Sequence, residues 1–154
     1  MRKVNTNNFK KTLSKFSTGI TVVCVKSDNS IYGKTVNSFN SLSLNPPLVL
    51  FSLGNYSSSI TKFSKTKFLS INILSSKQRK LSDNFASTRP EVENIKFIKG
   101  KNKTVIIPNC IANLECKLID KIKKGDHIIF ICKILELQSN NKLKPLVYFN
   151  SKYF

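Results

Sequence analysis

Short apolar runs bounded by turn residues recur along this chain, and they limit what it can fold into. The runs are rich in β-branched and aromatic residues, as buried strands are. They occupy residues 20–25, 31–36, 48–53, 68–74, 111–119, 127–137 and 145–153. Residues 27–30 and 123–126 have the composition of tight hairpin turns. About seven strands joined in this way predict a mainly β fold, a closed or split barrel and not a βαβ sheet.

A few short helices are expected at the periphery of this barrel. They cover residues 8–16, a segment that begins at a Ser57 cap, and residues 77–85. Residues 37–44 show too little periodicity for a regular element, and residues 87–108 predict a long irregular loop. No linker or internal repeat divides the chain, so residues 1–154 predict a single domain.

The charge of the chain is strongly positive, with 26 Lys and Arg against 8 Asp and Glu and a net charge of +18. Such a charge attracts polyanions, and nucleic acid is one candidate. The lysines are spread along the whole chain, however. Arginine, the residue that commonly reads bases, occurs only at Arg2, Arg79 and Arg89. Abundant Asn, Ser, Ile and Lys together indicate compositional drift. We therefore favour drift with a small anionic ligand over a nucleic-acid partner.

The cysteines predict reduced, structural thiols. They are Cys24, Cys110, Cys116 and Cys132, and no pair has CxxC spacing. With His127 as the only histidine, a metal site is not expected. Residues 1–3 lead into polar sequence, and no stretch approaches 18 apolar residues, so neither a signal peptide nor a membrane span is predicted. These features predict a cytoplasmic protein.

Two segments that follow strands are rich in hydroxyl and amide groups. Residues 33–47 read GKTVNSFNSLSLNPP, and residues 54–59 read GNYSSS just before a predicted helix. Free backbone N–H groups and Ser or Thr hydroxyls bind anions and heterocycles, and a helix N-terminus favours phosphate. From these residues alone, the alternative stays open that these side chains satisfy only their own backbone or cap the helix.

His127 begins a predicted strand and can serve there as a structural hydrogen-bonding group, a pH-sensitive group or a ligand contact. The chain has no GxGxxG fingerprint and no P-loop, and its carboxylates are too few to favour paired-carboxylate hydrolysis. A reaction in which a cofactor supplies the electronics, such as hydride transfer, suits this composition.

Taken in order, several segments between Phe9 and Tyr153 resemble the short-chain flavin reductase family, the reductase partners of two-component flavin monooxygenases. They read GKTVNSFNSLSLNPPLVLFSL, NYSSSI, FLSINIL, QRKLSDNFA, IANLECKL, GDHIIFICKI and PLVYFNSKY. The resemblance implies an FMN-binding split β-barrel and a homodimer with the flavin near the subunit interface. It also implies hydride transfer from NADH or NADPH to FMN or FAD, with reduced flavin passed to a partner monooxygenase.

The resemblance further implies roles for individual positions. The flavin ring and ribityl chain are expected at Lys34, Thr35, Val36, Asn37, Ser38, Ser41, Leu42 and Ser43. The flavin phosphate is expected at Ser52, Leu53, Ser57, Ser58 and Ser59. Further contributions are expected from Phe85 and Ala86 in the flavin pocket, from His127 as the catalytic residue near the nicotinamide, and from Tyr148 and Lys152. Backbone N–H groups of residues 41–43 are expected to stabilise the anionic reduced ring.

Two positions depart from the family pattern. Ser58 stands where the family usually has Arg or Lys, and the nearby Lys62 is a candidate substitute. Asn109 stands where the family commonly has Gly, and Asn tolerates the left-handed backbone. Two other functions stay open: an electron-transfer protein that holds FMN tightly, and a basic barrel that binds single-stranded nucleic acid. The second would require Phe39 or Phe51 to be exposed for base stacking.

Overall fold

The computed structural model describes residues 4–154, and antiparallel strands make up most of its regular structure. The strands are β1 (Thr18–Gly19), β2 (Thr21–Ser27), β3 (Ser30–Val36), β4 (Asn40–Ser43), β5 (Leu48–Gly54), β6 (Phe68–Ile73), β7 (Ile98–Lys99), β8 (Val105–Ile106), β9 (Ala112–Lys124), β10 (His127–Ser139), β11 (Val147–Phe149) and β12 (Lys152–Tyr153). The helices are α1 (Thr6–Leu13), α2 (Ile60–Lys65) and α3 (Arg79–Ala86), the last preceded by a 3₁₀ turn at Ser76–Gln78. The expectations for residues 1–3, Arg2 and the absent signal peptide among them, lie outside the described residues.

Seven of these strands form one antiparallel sheet in the order β3-β2-β6-β9-β10-β5-β4. The continuous apolar run in β2 follows from its two buried faces. Val23 and Val25 point into a core that contains the stacked rings of Phe51 and Phe130, 5.0 Å apart. Val22, on the opposite face of β2, belongs to a second core built on Phe85 and Leu74. A strand buried on both faces shows no alternation of polar and apolar residues.

The sheet curls until β3 lies beside β5, and the barrel is split along this seam. Strand β3 pairs with β2 and β5 pairs with β4 and β10, so no backbone ladder joins β3 to β5 among the described residues. A side chain bridges the seam instead. The Ser38 hydroxyl accepts a hydrogen bond from the Ser52 N–H at 3.0 Å and donates one to the Ser52 carbonyl at 3.2 Å. The predicted mainly β, split-barrel fold with short peripheral helices is confirmed.

The segment 37–44 differs from its prediction, because Asn40–Ser43 forms the edge strand β4. It pairs with β5 through a register shift between Ser41 and Ser43, and most of its side chains are exposed. Exposure on an edge strand removes the apolar periodicity by which strands are recognised, and the bulge interrupts what remains.

The long polar loop after α3 is also more ordered than predicted, because β7 and β8 form a short hairpin within it. The Ile107 N–H donates to the Asn72 side-chain oxygen at 3.0 Å, and the Ser70 hydroxyl donates to the Val105 carbonyl. Asn109 has φ of 60°, so the left-handed turn expected there is present. Distant partners on β6 therefore stabilise this segment, and a local sequence pattern does not reveal them.

The helices and the chain end begin and stop at different residues from those expected. Helix α1 ends at Leu13, and α2 begins at Ile60 without a side-chain cap, so the predicted Ser57 cap is wrong. The expected last strand is divided into β11 and β12, which pair with each other. Among the described residues, no helix combines the length and apolar character that a membrane crossing requires.

All four cysteines are buried as free thiols, as the sequence predicts. Burial raises the pKa of each thiol, with values of about 11 for Cys110 and about 12 for Cys132. Desolvation disfavours the thiolate, so these residues act as small apolar core groups.

Candidate functional site

A cleft of about 380 Å³ opens at the seam between β3 and β5. Its volume lies within the range of sites for small molecules and cofactors. The residues that line it are Lys34, Thr35, Val36, Asn37, Ser38, Ser52, Leu53, Gly54, Tyr56, Ser57, Ser58, Thr88 and His127. Hydroxyl, amide and backbone groups predominate, and none of these lining residues is acidic.

Helix α3 supports the β3 wall of the cleft from behind. Gly33 is buried directly against Phe85, so that a Cβ at this position would lie 2.4 Å from the Phe85 Cε1 atom. The Thr35 hydroxyl donates to the Ser82 carbonyl at 2.7 Å, which joins the same strand to α3. Phe85 is fully buried and outside the cleft, where it fixes the position of the strand that carries Lys34.

A tight turn after β5 places the serines. The Ser57 N–H donates to the Gly54 carbonyl at 3.1 Å, and the Ser57 and Ser59 hydroxyl oxygens are 3.2 Å apart. Ser59 is buried, so only Ser57 and Ser58 face the cleft. Tyr56 lies at the mouth and is 90% exposed, which leaves the entrance open to solvent. The short helix α2 follows these serines and begins at Ile60.

Among the described residues that line the cleft, Lys34 is the only lysine or arginine. Its Nζ donates to the Ser87 carbonyl at 2.8 Å. Partial burial lowers the pKa of the Lys34 ammonium, since desolvation disfavours the charged form. The cation therefore stands at the cleft wall without an acidic residue beside it in the lining.

His127 is the first residue of β10 and pairs with Gly54, the last residue of β5. Its Nδ1 is 2.6 Å from the Asp126 Oδ1, and the hydrogen bond and charge of His127 lower the pKa of the Asp126 carboxyl. An ionised Asp126 carboxylate accepts a hydrogen bond from the Nδ1–H, so in the neutral imidazole Nε2 is an acceptor. Nε2 lies near Gly54, 4.0 Å from where a Cβ would stand. The Asn55 N–H donates to the Asp126 carbonyl at 2.8 Å and holds the two turns together.

The structure brings most of the predicted site residues together in this cleft. They are Lys34, Thr35, Val36, Asn37, Ser38, Ser52, Leu53, Ser57, Ser58 and His127. Others lie outside its lining: Ser41, Leu42, Ser43, Ser59, Phe85, Ala86, Tyr148 and Lys152. Residues 41–43 are on the edge strand β4, where one row of backbone groups has no strand partner in the part of the chain that the structure describes. The roles expected for these outlying residues stay predictions.

Three cleft residues were not among the predicted site residues. Gly54 and Tyr56 belong to the GNYSSS run, so their proximity to the serines was the available signal. Thr88 comes from the polar loop after α3 and carries no sequence signal. The expected substitute Lys62 lies elsewhere. It forms an ion pair with Asp28 and stands over the ring of Tyr32, so it is not a cleft residue.

The donor set of the cleft fits a flavin. Hydroxyls and amides suit the polar edge of a heterocycle and its sugar-alcohol chain, and one ammonium suits a phosphate. Among residues 4–154, no group of three or more His, Cys, Asp and Glu side chains is arranged to hold a metal ion.

A split barrel with a polar cleft at its seam is the architecture of the flavin reductase-like class. This chain belongs to the family described as the flavin reductase like domain, whose profile matches residues 13–154. It is 34% identical over 131 residues to FMN reductase (NADH) SmoA of Agrobacterium fabrum, covering 85% of this chain and 75% of that one. It is 31% identical over 145 residues to the reductase component of a 4-hydroxyphenylacetate 3-monooxygenase of Thermus thermophilus, covering 94% and 93%.

Solved structures agree with this assignment. The flavin reductase PheA2 in its native state matches with a TM-score of 0.91 and 31% identity, over 98% of this chain and 97% of that one. The Streptomyces globisporus NADH:FAD oxidoreductase SgcE6, in complex with NAD and FAD fragments, matches with a TM-score of 0.92 over 100% and 96%. At 24% identity the second likeness supports the fold alone. The predicted family is confirmed.

Proposed function

We propose that this chain is an NAD(P)H:flavin oxidoreductase that transfers hydride from NADH or NADPH to FMN or FAD. The reduced flavin is then released to a flavin-dependent monooxygenase. The observation that carries the proposal is the cleft at the barrel seam, where hydroxyls, amides and one cation converge next to His127. NADH is the favoured donor because the Agrobacterium fabrum relative is named as an FMN reductase (NADH). The monooxygenase partner is favoured because the Thermus thermophilus relative is named as the reductase component of a monooxygenase.

When bound, the flavin supplies the hydride acceptor, and the chain binds and orients it. Thr35, Asn37 and Ser38 present hydroxyl and amide groups from the β3 side of the seam. Ser57 and Ser58 present hydroxyls from the turn after β5. The Asp126 carboxylate fixes the tautomer of His127, whose Nε2 is then an acceptor for the carboxamide N–H of a nicotinamide. The reaction needs no strong acid or base from the protein.

The open mouth of the cleft favours flavin as a dissociable substrate over a tightly held group. Tyr56 at the entrance is 90% exposed, and no described segment closes over it. The nucleic-acid alternative loses its stacking surface, since Phe51 is fully buried and Phe39 packs against the core. These observations favour flavin reduction over both rival functions.

The proposal also includes a cytoplasmic homodimer of single-domain chains. Three apolar side chains at and just after α1 have no cover among residues 4–154: Phe9 and Leu13 on the helix are each 55% exposed, and Phe16 beyond its end is 77% exposed. Exposed apolar patches of this kind mark protein interfaces. Four buried thiols suit a reducing compartment.

Steady-state turnover tests the proposal. Purified protein is mixed with NADH or NADPH and with FMN, FAD or riboflavin, and loss of the reduced-nicotinamide absorbance is followed. We expect turnover that depends on added flavin, and a His127→Ala variant should lose rate with intact flavin binding. Protein that stays yellow through purification and reduces no added flavin would favour the electron-transfer alternative. Absence of turnover with every pair would refute the proposed activity.

A further inference from the structure

We propose that Lys34 binds the phosphate group of the flavin and thereby makes this enzyme prefer phosphorylated flavins to riboflavin. The inference rests on the proposed function and deepens it. The resemblance to the family implies that Lys34 contacts the ring or the ribityl chain, and the structure gives a reason to assign it to the other end of the ligand.

The first reason is charge. Within residues 4–154, Lys34 is the only lysine or arginine that lines the cleft, and no lining residue in this range is acidic. A phosphate monoester at neutral pH carries close to two negative charges. A binding site for it requires a cation or a dense set of N–H donors, because a desolvated anion without a partner is costly.

The second reason is position. The Lys34 Nζ donates to the Ser87 carbonyl at 2.8 Å, and the Ser58 hydroxyl donates to the Thr88 carbonyl at 3.4 Å. These two acceptors belong to consecutive residues, whose Cα atoms are about 3.8 Å apart. The ammonium therefore lies at the same corner of the cleft as the turn that carries Ser57 and Ser58 (the serine turn), where phosphate binding is expected.

The third reason is unused bonding capacity. An ammonium has three N–H donors, and the Ser87 carbonyl is the one partner that the described residues give to Lys34. Two donors stay free for phosphate oxygens. The Ser58 hydroxyl makes a weak contact at 3.4 Å and can turn toward an anion at little cost.

The fourth reason is that neither position expected to supply the charge at the serines does so. Position 58 carries no charge, and Lys62 on α2 lies outside the cleft lining. Its Nζ forms an ion pair with Asp28 and stands 5.5 Å from the ring centroid of Tyr32. A cation on β3 thus takes the place of the charge that the serine turn lacks.

The experiment compares Lys34→Gln, Lys34→Arg and the matched control Lys62→Gln with the wild type. Dissociation constants for FMN and riboflavin are measured by quenching of flavin fluorescence, which does not require turnover. In Lys34→Gln we expect FMN binding to weaken about tenfold, as befits one charge-assisted hydrogen bond at a partly exposed site, while riboflavin binding changes less than about twofold. Lys34→Arg should recover most of the preference for FMN, and Lys62→Gln should keep it.

Three results would overturn the proposal. Equal weakening of FMN and riboflavin would place Lys34 at the ring, and loss of FMN preference in Lys62→Gln would assign the charge to that residue. Unchanged flavin binding with a selective loss of NADPH over NADH in steady-state KM would assign Lys34 to the nicotinamide phosphate. Melting curves show whether each variant is folded, and Lys34→Met replaces the Gln variant if that one is not. Normal flavin preference without any turnover would instead refute the proposed function alone.

Discussion

The close approach of Gly33 to Phe85 makes Gly33→Ala the most informative single substitution in this fold. The new Cβ would lie 2.4 Å from Phe85 Cε1 and 2.5 Å from Cδ1, whereas carbon atoms normally pack about 3.5–4.0 Å apart. Phe85 is fully buried in the second core, the cluster that also contains Leu74 and Cys24, and has little room to retreat. Either the ring or strand β3 must move by about 1 Å.

Overpacking of this kind costs about 1–3 kcal/mol. For a chain of this size each kcal/mol lowers the melting temperature by about 2–4 °C, so Gly33→Ala should melt about 2–12 °C below the wild type. Because Lys34 and Thr35 follow Gly33 in β3, the same displacement should raise the KM for flavin with little change in kcat. Thermal unfolding monitored by circular dichroism and steady-state kinetics measure the two effects.

A control and a rescue separate this clash from a general effect of losing glycine. A Cβ at Gly19 meets nothing within 4 Å, so Gly19→Ala should change stability by less than about 0.5 kcal/mol. Phe85→Leu in the Gly33→Ala background should restore part of the loss, with a favourable coupling of about 0.5–3 kcal/mol in the double-mutant cycle. A melting temperature for Gly33→Ala equal to that of Gly19→Ala, or strict additivity with Phe85→Leu, would refute the packing argument.

Two further predictions concern buried titratable groups. Burial raises the pKa of the Glu115 carboxyl, but hydrogen bonds from Thr104, Asn102 and Lys101 outweigh it, so the net pKa lies below the ordinary 4.5. The stability that this charge contributes is therefore present above about pH 4.5 and is lost as the pH falls through the folded pKa. Glu115→Gln should lower the free energy of unfolding by about 1–3 kcal/mol at neutral pH, and by progressively less in acid. A cost in urea unfolding that is independent of pH would contradict this. The four buried thiols should react with a thiol reagent at about pH 8 only in denaturant, and prompt labelling of the native protein would show that the cores open readily.

The barrel could be predicted from the sequence because its central strands are long and apolar. Strand β2 is a β-branched run buried over residues 21–25, and β10 buries Phe130 and Cys132 among half-buried isoleucines, so that burial determines the residue types. Strand β4 and the β7–β8 hairpin could not be predicted, since both are short and depend on partners far along the chain, such as Asn72 on β6. Local sequence patterns do not encode such pairings.

The candidate site was predictable to a similar degree and for a related reason. Most of the cleft is lined by two segments, and each is an uninterrupted run of sequence. The hydroxyl and amide groups of each run could therefore be recognised together. Thr88 is brought to the cleft by the path of a long loop. Lys62 pairs with Asp28, a residue distant in sequence that a local pattern does not reveal. Ser41 was predicted for the site but lies outside the cleft lining, because its strand is at the edge of the sheet.

Anaerobic flavin bleaching in the presence of catalytic protein tests the central claim most directly, because it observes the product of hydride transfer. A small amount of protein is added to excess FMN and NADH without oxygen, and the flavin and nicotinamide absorbances are recorded together. The cleft described here predicts that both bands fall in a one-to-one ratio, at a rate proportional to protein and reduced when flavin binding is weakened. Bleaching no faster than in the protein-free mixture, with FMN, FAD and riboflavin alike, would contradict it.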